Sequence, residues 1–330
     1  SITGRWPDLR QQGLIPVRRL LRILLKTLAV LAGLLLLAQA VLWWSNRDIP
    51  MQTLEQRYGG DNLQRLEIDG VNLAYKVEGT GPPLVLIHSH FYTMRQWQDW
   101  VDSLQQDFTV IRFDLTSHGL TGADPSEDYS RARGSLLLNR LLDHLEIEKA
   151  SIAGSSTGGA LAWYFASHYP QRVDKLILIN APGMPRVTNK YMERGLPDWA
   201  GYVVYLLPES LFKAFVQAPG IDKSLITADS VRDCHQRDRG TGNRRAEFRR
   251  KQAWERGDIS DDLARIQAPT LIMWGEQNPQ LPVEHVQQYR DKLVNAASVQ
   301  QRVYPGVGHV IPLEIPYQSA DDAREILLDE

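Results

Sequence analysis

The chain has 330 residues, of which 43% are hydrophobic and 23% are charged. This composition is typical of a globular protein, and the length suffices for one large α/β domain with an insertion. The formal net charge of −2 gives no reason to expect nucleic acid as a partner. The one cysteine, Cys234, excludes an internal disulfide, and we expect it to be a packed, unreactive thiol.

The N-terminal part of the chain differs from the rest. No residue between Thr27 and Trp44 is charged, and with the three apolar residues 23–25 a helix over this run reaches about 30 Å, the thickness of a bilayer core. Basic residues precede the run, and Trp43 and Trp44 close it. The sequence therefore predicts a cytoplasmic basic segment over residues 1–26 and a single-pass transmembrane helix over residues 27–44. By the positive-inside rule, everything that follows lies on the extracytoplasmic side.

Two other interpretations of this segment stay open. Ala38-Gln39-Ala40 has the small-x-small form of a signal-peptide cleavage site. A buried core helix is less favoured, because the polar segment that follows offers it little to pack on. As an uncleaved anchor, the helix would have membrane lipid or another membrane protein as its partner.

Beyond a linker over residues 45–61, short apolar runs alternate with helical segments. The predicted strands are 66–68, 71–77, 84–87, 109–113, 150–153, 175–179, 270–274 and 299–304. Such alternation predicts the α/β class, with a mostly parallel, doubly wound sheet covered by helices on both faces. We expect this core to comprise residues 62–182 and 268–330.

The stretch over residues 183–267 interrupts the alternation. It is too long for a loop, so we expect an inserted helical lid over the sheet edge. Its apolar groups lie at 203–204, 206–207, 211–212 and 215–216. The basic run from Arg244 to Lys251 is interpreted as a solvated helix face.

The strongest chemical signal is Gly154-Ser155-Ser156-Thr157-Gly158, between a predicted strand and a predicted helix. The spacing Gly-x-Ser-x-Gly fits Ser156 alone, and such a turn exposes a nucleophilic serine at the sheet edge. The helix that follows would offer the N–H of Thr157 to a developing oxyanion. No Lys-Ser or Lys-Thr pair follows the glycines, which excludes a phosphate-binding loop.

A serine hydroxyl needs a base, and His309 follows the last predicted strand. Serine first and histidine last is the chain order expected where a nucleophilic serine occupies a Gly-x-Ser-x-Gly turn between a strand and a helix. After the strand that ends at Ile87, His90 is the candidate for the second oxyanion N–H. A metal pair from His88 and His90 is a weaker alternative, since no third ligand is evident in the sequence.

The chain resembles the α/β-hydrolase family, nearest to its lid-bearing esterases, lipases and carbon–carbon-bond hydrolases. The motifs that carry the resemblance are LVLIHSHFYT, VIRFDLTSHGLTG, IAGSSTGG, LIMWGEQNPQLP and GVGHVIPLEIP. It implies Ser156 as nucleophile, His309 as base, and the N–H groups of His90 and Thr157 as oxyanion hole. His118 matches a histidine that is usually structural.

Three positions depart from the family pattern. Asn278 stands where the family has the acid that orients the histidine, and the alternative acid position is near Asn180, also an amide. An amide oxygen orients the ring but supplies no negative charge, and Glu276 is a candidate substitute. Ser89 and Ser117 replace glycines; Ser89 is expected to narrow the oxyanion hole or to add a hydroxyl donor to it.

Two functions are therefore compatible with the sequence. The first is a membrane-anchored serine hydrolase acting on a hydrophobic ester or related acyl substrate, without cofactor or metal. The second is an α/β-hydrolase fold with weakened or lost chemistry, serving as a membrane-tethered binding or accessory subunit. The intact Ser156 and His309 favour the first, and Asn278 favours the second.

Overall fold

The computed structural model describes residues 17–184, 198, 201, 209–217, 223–255 and 257–329. Most of the expected basic N-terminal segment and part of the expected lid, including the apolar groups at 203–204 and 206–207, lie outside the described residues. The chain divides into two compact units, Ser1–Arg47 and Asp48–Glu330.

The first unit contains one long helix, α1, over Val17–Ser45. Its stretch from Arg18 to Ser45 is long and apolar enough to cross a membrane, and none of its most apolar window is buried. At its C-terminal end the guanidinium of Arg47 lies 4.6 Å from the centroid of the Trp44 ring, a cation–π contact. By length and composition this helix is either a membrane anchor or a signal sequence.

The second unit alternates strands and helices. Its strands are β1 Gln64–Ile68, β2 Val71–Glu78, β3 Pro83–Ile87, β4 Thr109–Phe113, β5 Ala150–Ser155, β6 Val173–Ile179, β7 Thr270–Gly275 and β8 Val299–Tyr304. Its helices are α2 Met51–Tyr58, α3 Gln98–Leu104, α4 Arg131–His144, α5 Thr157–His168, α6 Glu209–Gln217, α7 Ala228–Asp238, α8 Asn243–Gln252, α9 Ser260–Ala264, α10 His285–Lys292, α11 Ile311–Glu314 and α12 Pro316–Leu328.

The eight strands form one sheet in the order β1-β2-β4-β3-β5-β6-β7-β8. The strand β2 pairs antiparallel with β1 and β4, and all other neighbours are parallel. The predicted fold class is confirmed, and each of the eight predicted strands is present with small shifts at its ends. The strand β5, which ends just before Ser156, lies inside the sheet between β3 and β6. The loops after these three parallel strands therefore meet at the same edge of the sheet.

Both faces of the sheet are buried. Along β3, Val85 and Ile87 belong to one apolar cluster, whereas Leu84 and Leu86 belong to another. Side chains of a strand alternate between faces, so the two clusters lie on opposite sides. The first includes residues of α4 and α5, and the second includes residues of α3 and α12. This two-sided burial explains why the parallel strands read as continuous apolar runs.

The interpretation of the basic run from Arg244 to Lys251 as a solvated helix face holds only in part: Arg245 and Lys251 are exposed, but other residues of the run are buried. The run lies on α8, and within it Arg244 is only 3% exposed and Arg250 only 8%. Each of these two guanidinium groups pairs with a carboxylate, Arg244 with Asp48 and Arg250 with Glu247. A buried charge is tolerated when it is paired, and Asp48 is almost two hundred residues distant, a contact that charge patterning cannot reveal.

Candidate active site

Ser156 occupies the sharp turn between β5 and α5. Its backbone has φ 50° and ψ −118°, a conformation that non-glycine residues rarely adopt and that is often found at functional sites. Its N–H donates to the carbonyl of Ile179, 2.9 Å away. The flanking glycines are required sterically: a Cβ on Gly154 would lie 2.3 Å from the Gly158 carbonyl oxygen, and one on Gly158 would lie 2.2 Å from that of Ile87.

His309 reaches Ser156 from the loop after β8. Its Nε2 lies 2.8 Å from Ser156 Oγ, and the residue is 3% exposed. The backbone on both sides of it is held by Glu314, whose carboxylate accepts the N–H of Gly308 at 3.0 Å and of Val310 at 2.9 Å. The two residues, far apart in the sequence, thus come within hydrogen-bonding distance at the edge of the sheet.

Asn278 meets the other ring nitrogen. Its Oδ1 lies 3.1 Å from His309 Nδ1 and also accepts the backbone N–H of Gln280 at 2.9 Å and of Leu281 at 3.1 Å. Backbone N–H groups only donate, so these two bonds fix the amide with its oxygen toward His309. An acceptor at this point requires the proton of His309 to be on Nδ1. The Nε2 is then unprotonated and accepts a hydrogen bond from the hydroxyl of Ser156.

The rest of the Asn278 side chain is less well satisfied. Among the residues that the structure describes, its buried Nδ2 has no hydrogen-bond partner, which costs about 1–3 kcal/mol. Glu276, the candidate substitute acid, is exposed, and its carboxylate makes no side-chain hydrogen bond or ion pair among the described residues. At the alternative acid position, Asn180 Nδ2 donates to the carbonyls of Gly308 and His309, at 3.2 and 2.7 Å. Asn180 therefore contacts the backbone of the histidine loop.

The candidate oxyanion donors lie on adjoining loops. The close approach of Gly158 to the end of β3 brings the elbow against the loop that carries His90. Within the described residues, neither the N–H of His90 nor that of Thr157 donates a hydrogen bond to another group of the protein. Ser89 Oγ donates to Ser155 Oγ at 2.9 Å and thereby joins the two loops.

Gln96 completes this connection, because its Oε1 accepts the N–H of Ser89 at 2.9 Å and its Nε2 donates to Ser89 Oγ at 3.1 Å. The hydroxyl of Ser89 is therefore engaged with Ser155 and Gln96 and forms part of the wall that supports the loop. Its N–H is occupied by Gln96, which leaves His90 as the next available donor in this loop.

A buried ionic cluster lies on the side chain of His90. Glu247 Oε1 is 3.2 Å from His90 Nε2, and Glu247 Oε2 is 3.7 Å from His118 Nε2. Arg250 donates to Glu247 at 2.8 and 2.9 Å and to His90 Nδ1 at 2.8 Å. The hydroxyl of Ser117 donates to Glu247 at 3.3 Å, so this departure from the family glycine has a partner.

Burial sets the protonation of this cluster. It lowers the pKa of His118 to about 3 and holds that of His90 well below its usual range, and Arg250 pushes both in the same direction. Burial alone would raise the pKa of the Glu247 carboxyl, but the charge and the hydrogen bonds of Arg250 hold it below its usual range. Two neutral imidazoles, one carboxylate and one guanidinium result.

His90, His118 and Glu247 also have the chemistry of metal ligands, and one ligand atom from each lies within 4.8 Å of the others. Sequence reasoning did not find this third ligand. Arg250, however, already donates to both Glu247 and His90. Its guanidinium therefore supplies the positive charge that a metal ion would bring to these two residues. His88 does not take part: its Nδ1 donates to the carbonyl of Ser89 and its Nε2 accepts the N–H of Leu115.

Cys234 agrees with its interpretation as a packed thiol. It is buried on α7, and burial raises its pKa to about 11, so the reactive thiolate is scarce at neutral pH.

Four residues around the site were missed by sequence reasoning: Gln96, Glu247, Arg250 and Glu314. All four act through contacts with distant loops or with backbone N–H groups, and their side chains carry no local signature. Of the four, Glu314 lies closest in the sequence to a predicted site residue, five positions after His309.

Comparisons with known proteins agree with this fold. The sequence profile described as alpha/beta hydrolase fold matches residues 82–316. An uncharacterized protein of Mycobacterium tuberculosis is 30% identical over 262 residues, which cover 75% of each chain. A non-heme haloperoxidase of Rhodococcus erythropolis is 28% identical over 253 residues, 73% of this chain and 90% of that protein.

Among solved structures, a membrane phospholipase A described as a bacterial virulence factor superposes with a TM-score of 0.69 at 23% identity, covering 94% of this chain and 98% of its own. That similarity concerns the fold. The profile match spans more than half of the sequence, and the chain therefore belongs to the alpha/beta hydrolase fold family.

Proposed function

We propose that this α/β-hydrolase is a membrane-anchored serine hydrolase that cleaves a hydrophobic ester or related acyl substrate. Ser156 is the nucleophile and His309 the base, Asn278 orients His309, and the N–H groups of His90 and Thr157 form the oxyanion hole. The observation that carries the proposal is the convergence of His309 Nδ1 and two backbone N–H groups on Asn278 Oδ1.

The proposed reaction follows from these positions. Ser156 Oγ attacks the acyl carbon while its proton passes to His309 Nε2, 2.8 Å away. The carbonyl oxygen becomes an oxyanion, which accepts hydrogen bonds from the two N–H groups. Collapse of this intermediate expels the alcohol, which takes the proton from His309 and leaves an acyl-serine. Water, deprotonated by His309, then releases the acid and restores the serine.

The amide at 278 affects the rate and not the geometry. In a serine protease, replacing this acid by asparagine lowers turnover by about 10⁴ because the histidine adopts the wrong tautomer. Here the backbone N–H groups of Gln280 and Leu281 hold the oxygen toward His309, which favours the productive tautomer. Only the negative charge that would stabilise the imidazolium is missing.

A second function rests on the same residue. The lost charge and the buried, unpartnered Nδ2 of Asn278 favour an α/β-hydrolase of weakened or lost activity that serves as a membrane-tethered accessory subunit. The intact contact between Ser156 and His309 favours the enzyme.

The surroundings of His309 support a hydrophobic substrate. Val310 belongs to a buried apolar cluster with Tyr92 and residues of the lid helices α6 and α7. A cavity of about 150 Å³ beside this cluster has apolar residues such as Tyr92 and Val216 in its wall but also the charged residues Arg95, Asp233 and Arg237. The support for a hydrophobic substrate therefore comes from the apolar cluster and not from this cavity. The fold similarity to a membrane phospholipase A is compatible with a lipid ester.

Helix α1 supports the anchor. Its apolar run is flanked by basic residues before and by tryptophans at the end, which favours an N-terminus in the cytoplasm and the hydrolase on the other side. Fractionation of cells expressing the full chain tests this: the protein should stay in the membrane pellet after alkaline carbonate extraction. A product shortened by cleavage after Ala40 would instead identify a signal sequence.

The chemistry is tested with a serine-directed fluorophosphonate probe on the purified full chain in detergent. Labelling should occur in the wild type, vanish in Ser156→Ala, and persist in the matched control Ser167→Ala. Ser167 is a buried serine of α5 whose Oγ has no hydrogen-bond partner within the described part of the chain. Absence of wild-type labelling, beside a labelled reference hydrolase, would support the accessory subunit instead.

A further inference from the structure

We infer that the lid helix α8 positions the oxyanion hole, with Glu247 and Arg250 acting as positioning residues through the side chain of His90. The inference rests on the proposed function, since it concerns the N–H of His90 as an oxyanion donor. It assigns a role to Glu247 and Arg250, two buried residues of the run that the sequence pattern indicated only as a solvated helix face.

The contacts of α8 converge on a short piece of backbone. Arg250 donates to His90 Nδ1 at 2.8 Å, and Glu247 Oε1 lies 3.2 Å from His90 Nε2. One residue further along both segments, Lys251 Nζ lies 4.9 Å from the centroid of the Phe91 ring. Three residues of one helix thus contact two consecutive residues of the oxyanion loop.

This piece of loop needs external support. Phe91 has a positive φ of 67°, a strained conformation that costs on the order of 1–3 kcal/mol and persists only where its surroundings hold it. Its ring lies 3.7 Å from that of His90, at a tilt of 35° between the ring planes, and meets Phe212 of α6 edge to face at 5.9 Å. The lid therefore supplies contacts on both the polar and the apolar side of the loop.

The same helix also reaches the loop after β4. Glu247 accepts from the Ser117 hydroxyl and lies beside His118, whose Nδ1 faces the carbonyl of Thr116 at 3.2 Å. Two hydrogen bonds from Arg250 and one from Ser117 hold this carboxylate, and loss of the Arg250 contact would leave a buried charge unpaired. Preorganised donors stabilise an oxyanion best, since they need not reorient during the reaction.

The consequence concerns the transition state alone. The oxyanion exists only after attack, so a loop released from α8 should lower kcat and leave KM unchanged. Loss of one whole oxyanion donor costs about 10²–10³ in kcat. A displaced donor should cost less, about 10- to 100-fold.

The experiment measures hydrolysis of a short soluble ester by the full chain in detergent. The double variant Glu247→Leu/Arg250→Met replaces the ion pair by apolar side chains, which buried pairs often tolerate. Its matched control is Arg244→Met, another buried arginine of α8, paired with Asp48. We expect the double variant to lose 10- to 100-fold in kcat, to keep its KM, and to bind a trifluoromethyl ketone, which mimics the tetrahedral intermediate, less tightly by the same factor.

A second measurement guards against loss of the fold. His90→Leu removes the imidazole but leaves its backbone N–H, and combining it with Arg250→Met should add little further loss, because both changes release the same contact. Additive losses, an unchanged kcat in the double variant, an effect on KM alone, or an equal loss in Arg244→Met would overturn the inference. The proposed function fails separately, if the wild type neither hydrolyses esters nor labels at Ser156.

Discussion

The two sides of Ser156 are built differently. On the side of the base, His309 meets an uncharged amide, Asn278, and the backbone of its loop is held by Glu314 and Asn180. On the side of the proposed oxyanion hole, the loop of His90 is held by a buried carboxylate and a buried guanidinium from helix α8. A negative charge is missing at Asn278, where the family pattern has an acid, and two charges, those of Glu247 and Arg250, lie beside His90, where that pattern requires none.

The difference separates two requirements of catalysis. Orientation of a base needs only an acceptor in the right place, which an amide oxygen fixed by backbone donors provides. Stabilisation of charge that develops during the reaction needs either a countercharge or rigid donors. In the proposed mechanism, Asn278 orients the base, and the stabilisation of developing charge depends on the N–H groups of the oxyanion hole.

The largest expected effect comes from removing the base. His309→Asn should lower the labelling rate and ester hydrolysis by at least about 10³-fold, because the serine hydroxyl then has no proton acceptor. Labelling is followed with the fluorophosphonate over time. A loss smaller than tenfold would mean that another group activates Ser156 and would remove the base side from the comparison.

The next effect is a gain. Asn278→Asp keeps both backbone donors and adds the missing negative charge, so the labelling rate should rise at least tenfold, with the ~10⁴ of the reverse change in a protease as upper limit. The rise should appear in kcat, since the imidazolium exists only during the reaction. An unchanged rate would indicate that a carboxylate other than residue 278 already serves His309.

A smaller loss is expected on the oxyanion side. Gln96→Leu removes the acceptor of the Ser89 N–H and should reduce kcat about tenfold by loosening the loop that carries His90. Gln98→Leu is the control, because Gln98 contacts Asp102 and Arg112 instead. Equal activity of both variants would show that Ser155 alone holds Ser89 in place.

The smallest effect concerns stability. The folded protein keeps His118 neutral until its pKa of about 3, whereas an unfolded histidine binds a proton near pH 6.5. Below that pH the unfolded chain binds more protons, so stability decreases as the pH falls, by at most about 1.4 kcal/mol per pH unit for this group. Thermal melting at pH 7.5, 6.5 and 5.5 should show a weaker pH dependence in His118→Asn. Identical slopes would place the pH-sensitive group elsewhere.

Local sequence patterns were sufficient for much of the fold. Most of the strands were predicted because they are short apolar runs with buried side chains, whereas the side chains of the edge strands β1 and β8 are mostly half-buried or exposed. The elbow at Ser156 was predicted from its flanking glycines, which close backbone contacts require. The chain order of Ser156 and His309 was also sufficient to pair them. The start of the helical segment before β4 was not predicted: a 3₁₀ turn over Met94–Trp97 precedes α3.

Other features were hidden because they depend on distant partners. The burial of Arg250 follows from Glu247 and from the loop of His90, 160 residues away, and no local pattern distinguishes such an arginine from an exposed one. The sequence identified Asn180 only as an amide near the alternative acid position, whereas the structure connects it to the backbone of the His309 loop.

The sequence by itself determined the α/β fold, the nucleophile elbow and an apolar N-terminal helix, because each depends on residues that are neighbours in the chain. Only the tertiary structure decided which way the amide of Asn278 faces and which side chains hold His90. Both depend on donors and charges contributed by separate loops, and the free energy of a hydrogen bond or an ion pair depends on where the partner lies in space.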